Sequence, residues 1–314
     1  MTKKQQKVDV IIPTYQPDEK VVVLVKKLLK QTCEINEIHL IDTETGVFPK
    51  ELYELEKIRV THIRQKDFDH GGTRHLGASK SDADFIVYMT QDAMPVNERM
   101  IEELIRPFDM PDAAVTYGRQ LPAADCRLIE RYTRAFNYPE QGIVKSAKDV
   151  ERLGIKAYFC SDVCAAYRKS IYEELGGFER KTIFNEDMIM AAKAIQAGYK
   201  VVYAAEAKVI HSHNYSPMQQ FHRNFDLAVS QCEHPEIFAN IKSEKEGMRL
   251  VKDTAAYLLK KGKPWQIGSL ILTSGCKYLG YKCGMNYKKM PRRMVMKCTM
   301  NPGYWKSGED ASAD

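Results

Sequence analysis

Phe184-Asn185-Glu186-Asp187 sets two adjacent carboxylates at the start of an apolar, helix-like run from Met188 to Ile195 that stops at Gly198. Two roles fit this pair. Asn185 can cap a helix whose first turn favours acids, because the helix dipole is positive there. Alternatively Asp187 is a general base that removes a proton from a hydroxyl, its proton affinity raised by burial and by its neighbour Glu186. The two roles pull the same carboxylate in opposite directions, since a helix N-terminus stabilises the charged form.

Other groups with chemical potential stand at the ends of apolar runs. Asp42 follows Glu37-Ile38-His39-Leu40-Ile41, and Asp92 follows Phe85-Ile86-Val87-Tyr88-Met89 through Thr90 and Gln91. An acid at the carboxyl end of a buried strand lies where open α/β sheets bind ligands. Asp42 there can accept from a nucleotide base or ribose, or merely begin a turn with Thr43, Thr45 and Gly46. Asp92, before Ala93-Met94-Pro95, is placed to hold a divalent cation or to cap a turn. In Gly71-Gly72-Thr73-Arg74 the glycines allow close backbone approach and Arg74 can carry charge toward a diphosphate; a plain loop-to-helix junction has the same composition. His211 and His213 alternate after Val209-Ile210 and share a face of an extended segment, as ligands of a metal or diphosphate site or as a surface pair.

The elements that must position these groups alternate along the first half. Val8 to Ile12, closed by Pro13, reads as a buried strand leading to a Pro13-Thr14-Tyr15 loop; Val22, Val25, Leu28 and Leu29 recur at helix spacing; and a second strand runs to Asp42. Strand, helix, strand makes a βαβ unit with parallel pairing. No G-x-G-x-x-G follows the first strand, which argues against a dinucleotide oxidoreductase. The 314 residues, 44% of them hydrophobic, suffice for a large core. Neither a signal-peptide core nor a membrane-spanning run is legible, so a cytoplasmic protein is expected. Eight scattered Cys without a C-x-x-C pair suggest reduced thiols.

The order of these features resembles the inverting glycosyltransferases of family 2 over roughly residues 8–225. The likeness lies in Pro13-Thr14-Tyr15, Asp42, Thr90-Gln91-Asp92, Cys160-Ser161-Asp162, Gly176-Gly177-Phe178, Glu186-Asp187 and His211-Ser212-His213. It implies the GT-A nucleotide-diphospho-sugar transferase fold, a Rossmann-like mixed sheet flanked by helices. It also implies donor contacts from Pro13, Thr14, Tyr15, Asp42, Gly72, Arg74 and Gln91, and acceptor contacts from Cys160, Ser161 and Asp162. Asp187 would be the catalytic base with Glu186 beside it, and Asp92, His211 and His213 would hold Mg or Mn. Thr90 stands where the family's D-x-D pattern has its first acid, so Asp92 alone is carried over from that motif. Phe68-Asp69-His70-Gly71-Gly72-Thr73-Arg74 and Thr90-Gln91-Asp92-Ala93 resemble the versions in bacterial rhamnosyltransferases, which implies dTDP-L-rhamnose as donor and a surface-polysaccharide or lipid-linked glycan as acceptor. A catalytically silent nucleotide-sugar-binding or scaffold protein is the alternative that Thr90 suggests.

After about residue 240 the alternation gives way to a helical pattern, so the expected organisation is a transferase domain over 1–240 and a helical appendage over 241–314. Residues 241–314 carry 15 Lys/Arg against 6 Asp/Glu, the rest 32 against 35. Lysines and arginines interleaved with Tyr278, Leu279, Tyr281 and Met294 suit an anionic membrane surface, or a helix pair packed on the core or in a homodimer. No nucleic-acid-binding motif is legible. Residues from Ser307 to Asp314 read as a frayed end.

Overall fold

The computed structural model describes residues 6–239 and 244–306. The amino terminus, the expected boundary at 240/241 and the end from Ser307 lie outside them. The chain divides into two compact units: residues 1–121, 138–180 and 186–211 form one, and residues 122–137, 181–185 and 212–314 the other.

The first unit is built on a nine-stranded mixed sheet. Its strands are β1 (Val8–Tyr15), β2 (Glu37–Thr43), β3 (Ile58–Ile63), β4 (Phe85–Met89), β5 (Met94–Pro95), β6 (Ala113–Leu121), β7 (Ile143–Lys145), β8 (Cys164–Arg168) and β9 (Lys200–Ile210). The order is β3-β2-β1-β4-β8-β6-β9-β5, with β7 also paired to β9. The first four pair in parallel, as the βαβ spacing requires, whereas β8 runs antiparallel to both β4 and β6. Strand β4 is buried along its whole length, as a strand covered on both faces must be.

Two strands outrun their expected ends. β1 continues through Pro13 to Tyr15, and β2 through Asp42 to Thr43, so that Thr14 is registered with Asp42 and Asp42 with His62. β4 pairs with β1 only as far as Ile11, which leaves β1 one neighbour at Pro13, where a missing N–H is tolerated. The helix Glu19–Leu28 is capped by Asp18, whose side chain accepts from the Lys20 N–H, and buries Val21, Val22, Leu24, Val25 and Leu28. Leu29, expected on that stripe, is the C-cap and exposed, because the stripe passes through Val21 and Leu24 instead.

The second unit is helical. Its long helices are Pro217–Glu233, Glu244–Lys260 and Gln266–Met285, with shorter ones at Leu128–Asn137 and Arg292–Cys298. Its core gathers Ile183, Phe225, Val229 and Val295 under Phe184, Cys283, Tyr287 and Trp305. Gly280 and Gly284 let the Gln266–Met285 helix lie against Pro217–Glu233, since a Cβ at either would collide with the carbonyl of Phe221 or Phe225. All eight cysteines are free thiols. No described helix is long and apolar enough to cross a membrane.

Candidate active site

Strand ends bring the candidate residues of the first unit together. Beyond β1 and β2, the Thr14 hydroxyl donates to Asp42 Oδ1 at 2.9 Å, while His62 Nδ1 lies 3.0 Å from Asp42 Oδ2. Gln91 locks onto Tyr15 through two bonds: Tyr15 N–H donates to Oε1 at 2.9 Å and Nε2 donates to the Tyr15 carbonyl at 3.0 Å. Pro13, Thr14, Tyr15, Asp42 and Gln91 are thus one cluster, with the Tyr15 ring left exposed. His62 is a member that sequence reading passed over; its place at the end of β3, opposite Asp42, was the available signal.

Gly71 and Gly72 lie in the first turn of the helix His70–Ser79, whose N-cap Asp69 accepts from the Gly72 N–H at 2.7 Å. From that helix Arg74 reaches inward. It is 7% exposed, and its guanidinium lies 3.1 Å from Glu186 Oε1 and 3.2 Å from Asp162 Oδ2, the latter an ion pair outside hydrogen-bond angles. Burial works against the Arg74 charge, but Glu186 and Asp162 hold its proton more tightly than usual. The charge expected to face a diphosphate is therefore engaged with these two acids.

Asp187 lies in the first turn of the helix Glu186–Gln196. Asn185, just before that helix, adopts φ 66°, a left-handed conformation that Asn tolerates, and its amide donates to the Leu227 carbonyl. Asp187 Oδ1 instead accepts from the Met188 N–H at 2.7 Å and Oδ2 from the Asp162 N–H at 3.2 Å. Burial and the neighbouring Glu186 push the Asp187 carboxyl up to about 7, against the two N–H groups and Arg74. Part of its surface nevertheless remains open. Burial and Glu186 together outweigh the two N–H groups and Arg74.

Asp162 is buried and accepts from Tyr167 OH at 2.7 Å; burial raises its pKa well above the usual range despite Arg74. Cys160 is buried with its Sγ 3.9 Å from Tyr167 OH, and Ser161 Oγ accepts from Gln120 Nε2 at 2.9 Å. Buried Lys145 on β7 holds the preceding turn by donating to the Lys156 and Phe159 carbonyls, its own pKa lowered to about 7 by burial. The Gly176-Gly177 pair, at φ 82° and 70°, feeds Phe178 into a ring cluster with Tyr88, Tyr167 and Tyr172.

Asp92 and His211 meet: Oδ2 and Nε2 are 3.4 Å apart. His211 Nδ1 lies 3.0 Å from Gln120 Oε1, which can only accept, so Nδ1 carries a proton and Nε2 faces Asp92. One carboxylate oxygen and one imidazole nitrogen, the latter oriented from behind, form a donor pair that suits a divalent cation. Thr90 contributes no charge here, and its buried hydroxyl makes no hydrogen bond. His213 belongs to the second unit, its ring centroid 5.1 Å from that of Tyr215.

Gln120 connects the two halves of the site. It contacts His211 with its oxygen and Ser161 and Tyr138 with its nitrogen, and Ser161 precedes the Asp162 N–H that meets Asp187. Sequence reading passed over Gln120, although it stands at the end of a strand as Asp42 and Asp92 do.

Residues 9–176 match the family model for glycosyl transferase family 2. Over 310 residues, 98% of each chain, the protein is 41% identical to O-antigen chain rhamnosyltransferase RfbN of Salmonella typhimurium. It is 39% identical over 286 residues, 90% of each chain, to O-antigen chain rhamnosyltransferase WbaN of Salmonella anatum. Among solved structures it is similar to the mannosyltransferase PcManGT from Pyrobaculum calidifontis in complex with GDP-Man and Mn2+, with TM-score 0.58 and 12% identity over 98% of this chain and 87% of that one. It is also similar to S. aureus TarS 1–349, with TM-score 0.53 and 14% identity over 90% and 91% of the two chains. At such low identity these likenesses speak for the GT-A fold alone, while the family match and the two long alignments settle the rest: this chain belongs to glycosyl transferase family 2 and is a glycosyltransferase.

Proposed function

We propose that the protein transfers L-rhamnose, with inversion, from dTDP-L-rhamnose to a hydroxyl of a lipid-linked or polysaccharide acceptor during bacterial surface-polysaccharide synthesis on the cytoplasmic side of the membrane. The observation that carries the donor assignment is the near full-length identity to two O-antigen chain rhamnosyltransferases.

In this reading Asp187 takes the proton of the acceptor hydroxyl. The acceptor oxygen forms its bond to the anomeric carbon as the bond to the diphosphate oxygen breaks on the opposite face, and the electron pair leaves with dTDP. A carboxylate near pKa 7 that remains partly open is matched to that task. Arg74 holds Glu186 and Asp162 in place and, through the Asp162 N–H, keeps the Asp187 carboxylate oriented. Ser161 borders the acceptor, and the buried Cys160 and Asp162, expected beside it, support that segment from within. Pro13, Thr14, Tyr15, Asp42, Gly72 and Gln91 receive the nucleotide, with Asp42 accepting from the base or ribose. Asp92 and His211 would hold Mg or Mn, which would supply positive charge to the departing diphosphate. The imidazole offsets the ligand lost at Thr90 and favours Mn.

The test is Asp187→Asn assayed beside the wild type for dTDP-L-rhamnose binding and for transfer. Loss of transfer with binding kept supports the base assignment; unchanged transfer removes Asp187 from the mechanism.

A further inference from the structure

The Gln266–Met285 helix has one face turned to its own unit and one turned to solvent, and the inward face changes character along its length. Leu270, Gly280 and Gly284 are buried against its own unit. Gln266, Ser269, Thr273 and Lys277 line a polar cleft of about 490 Å³ together with Glu130 and Gln220. On the remaining arc, about 160° wide at 100° per residue, stand Ile271 (64% exposed), Leu272 (59%), Tyr278 (57%), Leu279 (57%) and Met285 (42%), continued by the N-cap Trp265 (67%). Gly268, Gly275 and Lys282 fall between the two apolar stripes of this arc, with the Lys282 ammonium over the Tyr278 ring at 5.4 Å from its centroid, and large apolar side chains left in water on both sides mark a docking face.

The surrounding charge identifies what it meets. From Thr254 to Lys306 the sequence has 11 Lys/Arg and no Asp or Glu. Lys261, Lys263, Lys288, Lys289, Arg292, Arg293 and Lys297 are all exposed, and Lys263 lies over the Trp265 ring at 4.8 Å from its centroid. A second copy of this chain would bring the same positive charge to the contact, and like charges repel. An anionic lipid surface offers both an apolar layer for the arc and negative charge for its rim. The helix is too polar to span a bilayer, which suits an in-plane position.

We infer that the Trp265–Met285 arc lies in the headgroup region of an anionic membrane, with the lysines and arginines that flank it against the lipid phosphates. The inference deepens the proposed function, since it rests on an acceptor held at a lipid surface. It names the surface through which the enzyme reaches that acceptor.

The experiment uses the full-length protein with vesicles of phosphatidylcholine alone or mixed with phosphatidylglycerol. Trp265 is one of only two tryptophans, so Trp305→Phe makes its fluorescence a local reporter. The expected results are a blue shift and cosedimentation with anionic vesicles, weakened by salt, and at least about tenfold weaker binding for Leu272→Glu/Leu279→Glu. An Arg292→Glu/Arg293→Glu variant, which leaves the arc intact, should lose the anionic preference. Unchanged melting temperature and unchanged dTDP-L-rhamnose hydrolysis in these variants separate the face from the transferase reading. Equal binding by all variants overturns the inference. So does a wild type that ignores anionic vesicles at low salt, or one that is a dimer in solution and becomes a monomer on Leu272→Glu/Leu279→Glu.

Discussion

Asp187 shows how two local effects on one carboxylate are resolved by burial. Because its folded pKa is raised from 3.8 to about 7, the folded protein keeps this proton over a pH range in which the unfolded chain has lost it. The contribution is full below pH 3.8 and is lost as pH rises through 7, so stability from this residue falls across that interval. Asp187→Asn should remove the slope and raise stability above pH 7 by about 1–2 kcal/mol, as read by denaturant titration at several pH values. Transfer should change in the opposite sense, rising with pH through about 7 in the wild type and dropping by about 10²–10⁴ in the variant. Gln120→Leu should weaken the divalent-cation response by about 10–100-fold, because His211 would lose the partner that fixes its tautomer; titrating Mn against wild type and variant measures this. Glu186-Asp187, Asp42 and Asp92 could be singled out because each adjoins an apolar run and their order along the chain is informative. Gln120, His62 and Tyr167 could not, because an uncharged or aromatic residue near a strand end carries no signal until register shows what it faces.

Elements fix this geometry through a few close approaches. The parallel first half could be read from runs such as Val8–Ile12 and Phe85–Met89, which are too short for buried helices and too apolar for edges. The antiparallel β8 could not, since Cys164-Ala165-Ala166-Tyr167-Arg168 has no strand signature beyond its burial between β4 and β6. Arg74 binds the His70–Ser79 helix to the acids of two other segments. Arg74→Ala leaves Asp162 and Glu186 buried without their cation and should cost about 3–5 kcal/mol. Arg74→Lys keeps the charge but cannot span both acids, and should retain stability better than activity; thermal melts and transfer rates on the same samples test the pair. In the helical unit, Gly280→Val should destabilise by about 2 kcal/mol or more, because the Phe221 backbone occupies the space its side chain needs. The spacing of Gly280 and Gly284 is visible in the sequence, but its meaning depends on which helix lies opposite.

For the whole molecule, the division of labour is between a mixed sheet that gathers the polar site and a helical unit that carries most of the basic excess. Ordered motifs gave the family, and composition gave the basic tail. That residues 122–137 and 181–185 group with the tail could not be anticipated, because compactness depends on contacts far apart in sequence. The central claim is that this assembly moves rhamnose from dTDP-L-rhamnose with Asp187 as base. The most direct measurement is mass spectrometry of acceptor glycans after incubation with dTDP-L-rhamnose, UDP-sugars and GDP-sugars, followed by assignment of the new linkage. The account predicts one deoxyhexose added from dTDP-L-rhamnose alone, with anomeric configuration opposite to the donor's and no addition by Asp187→Asn. Transfer from a different nucleotide sugar, retention of configuration, or full transfer by Asp187→Asn would contradict it.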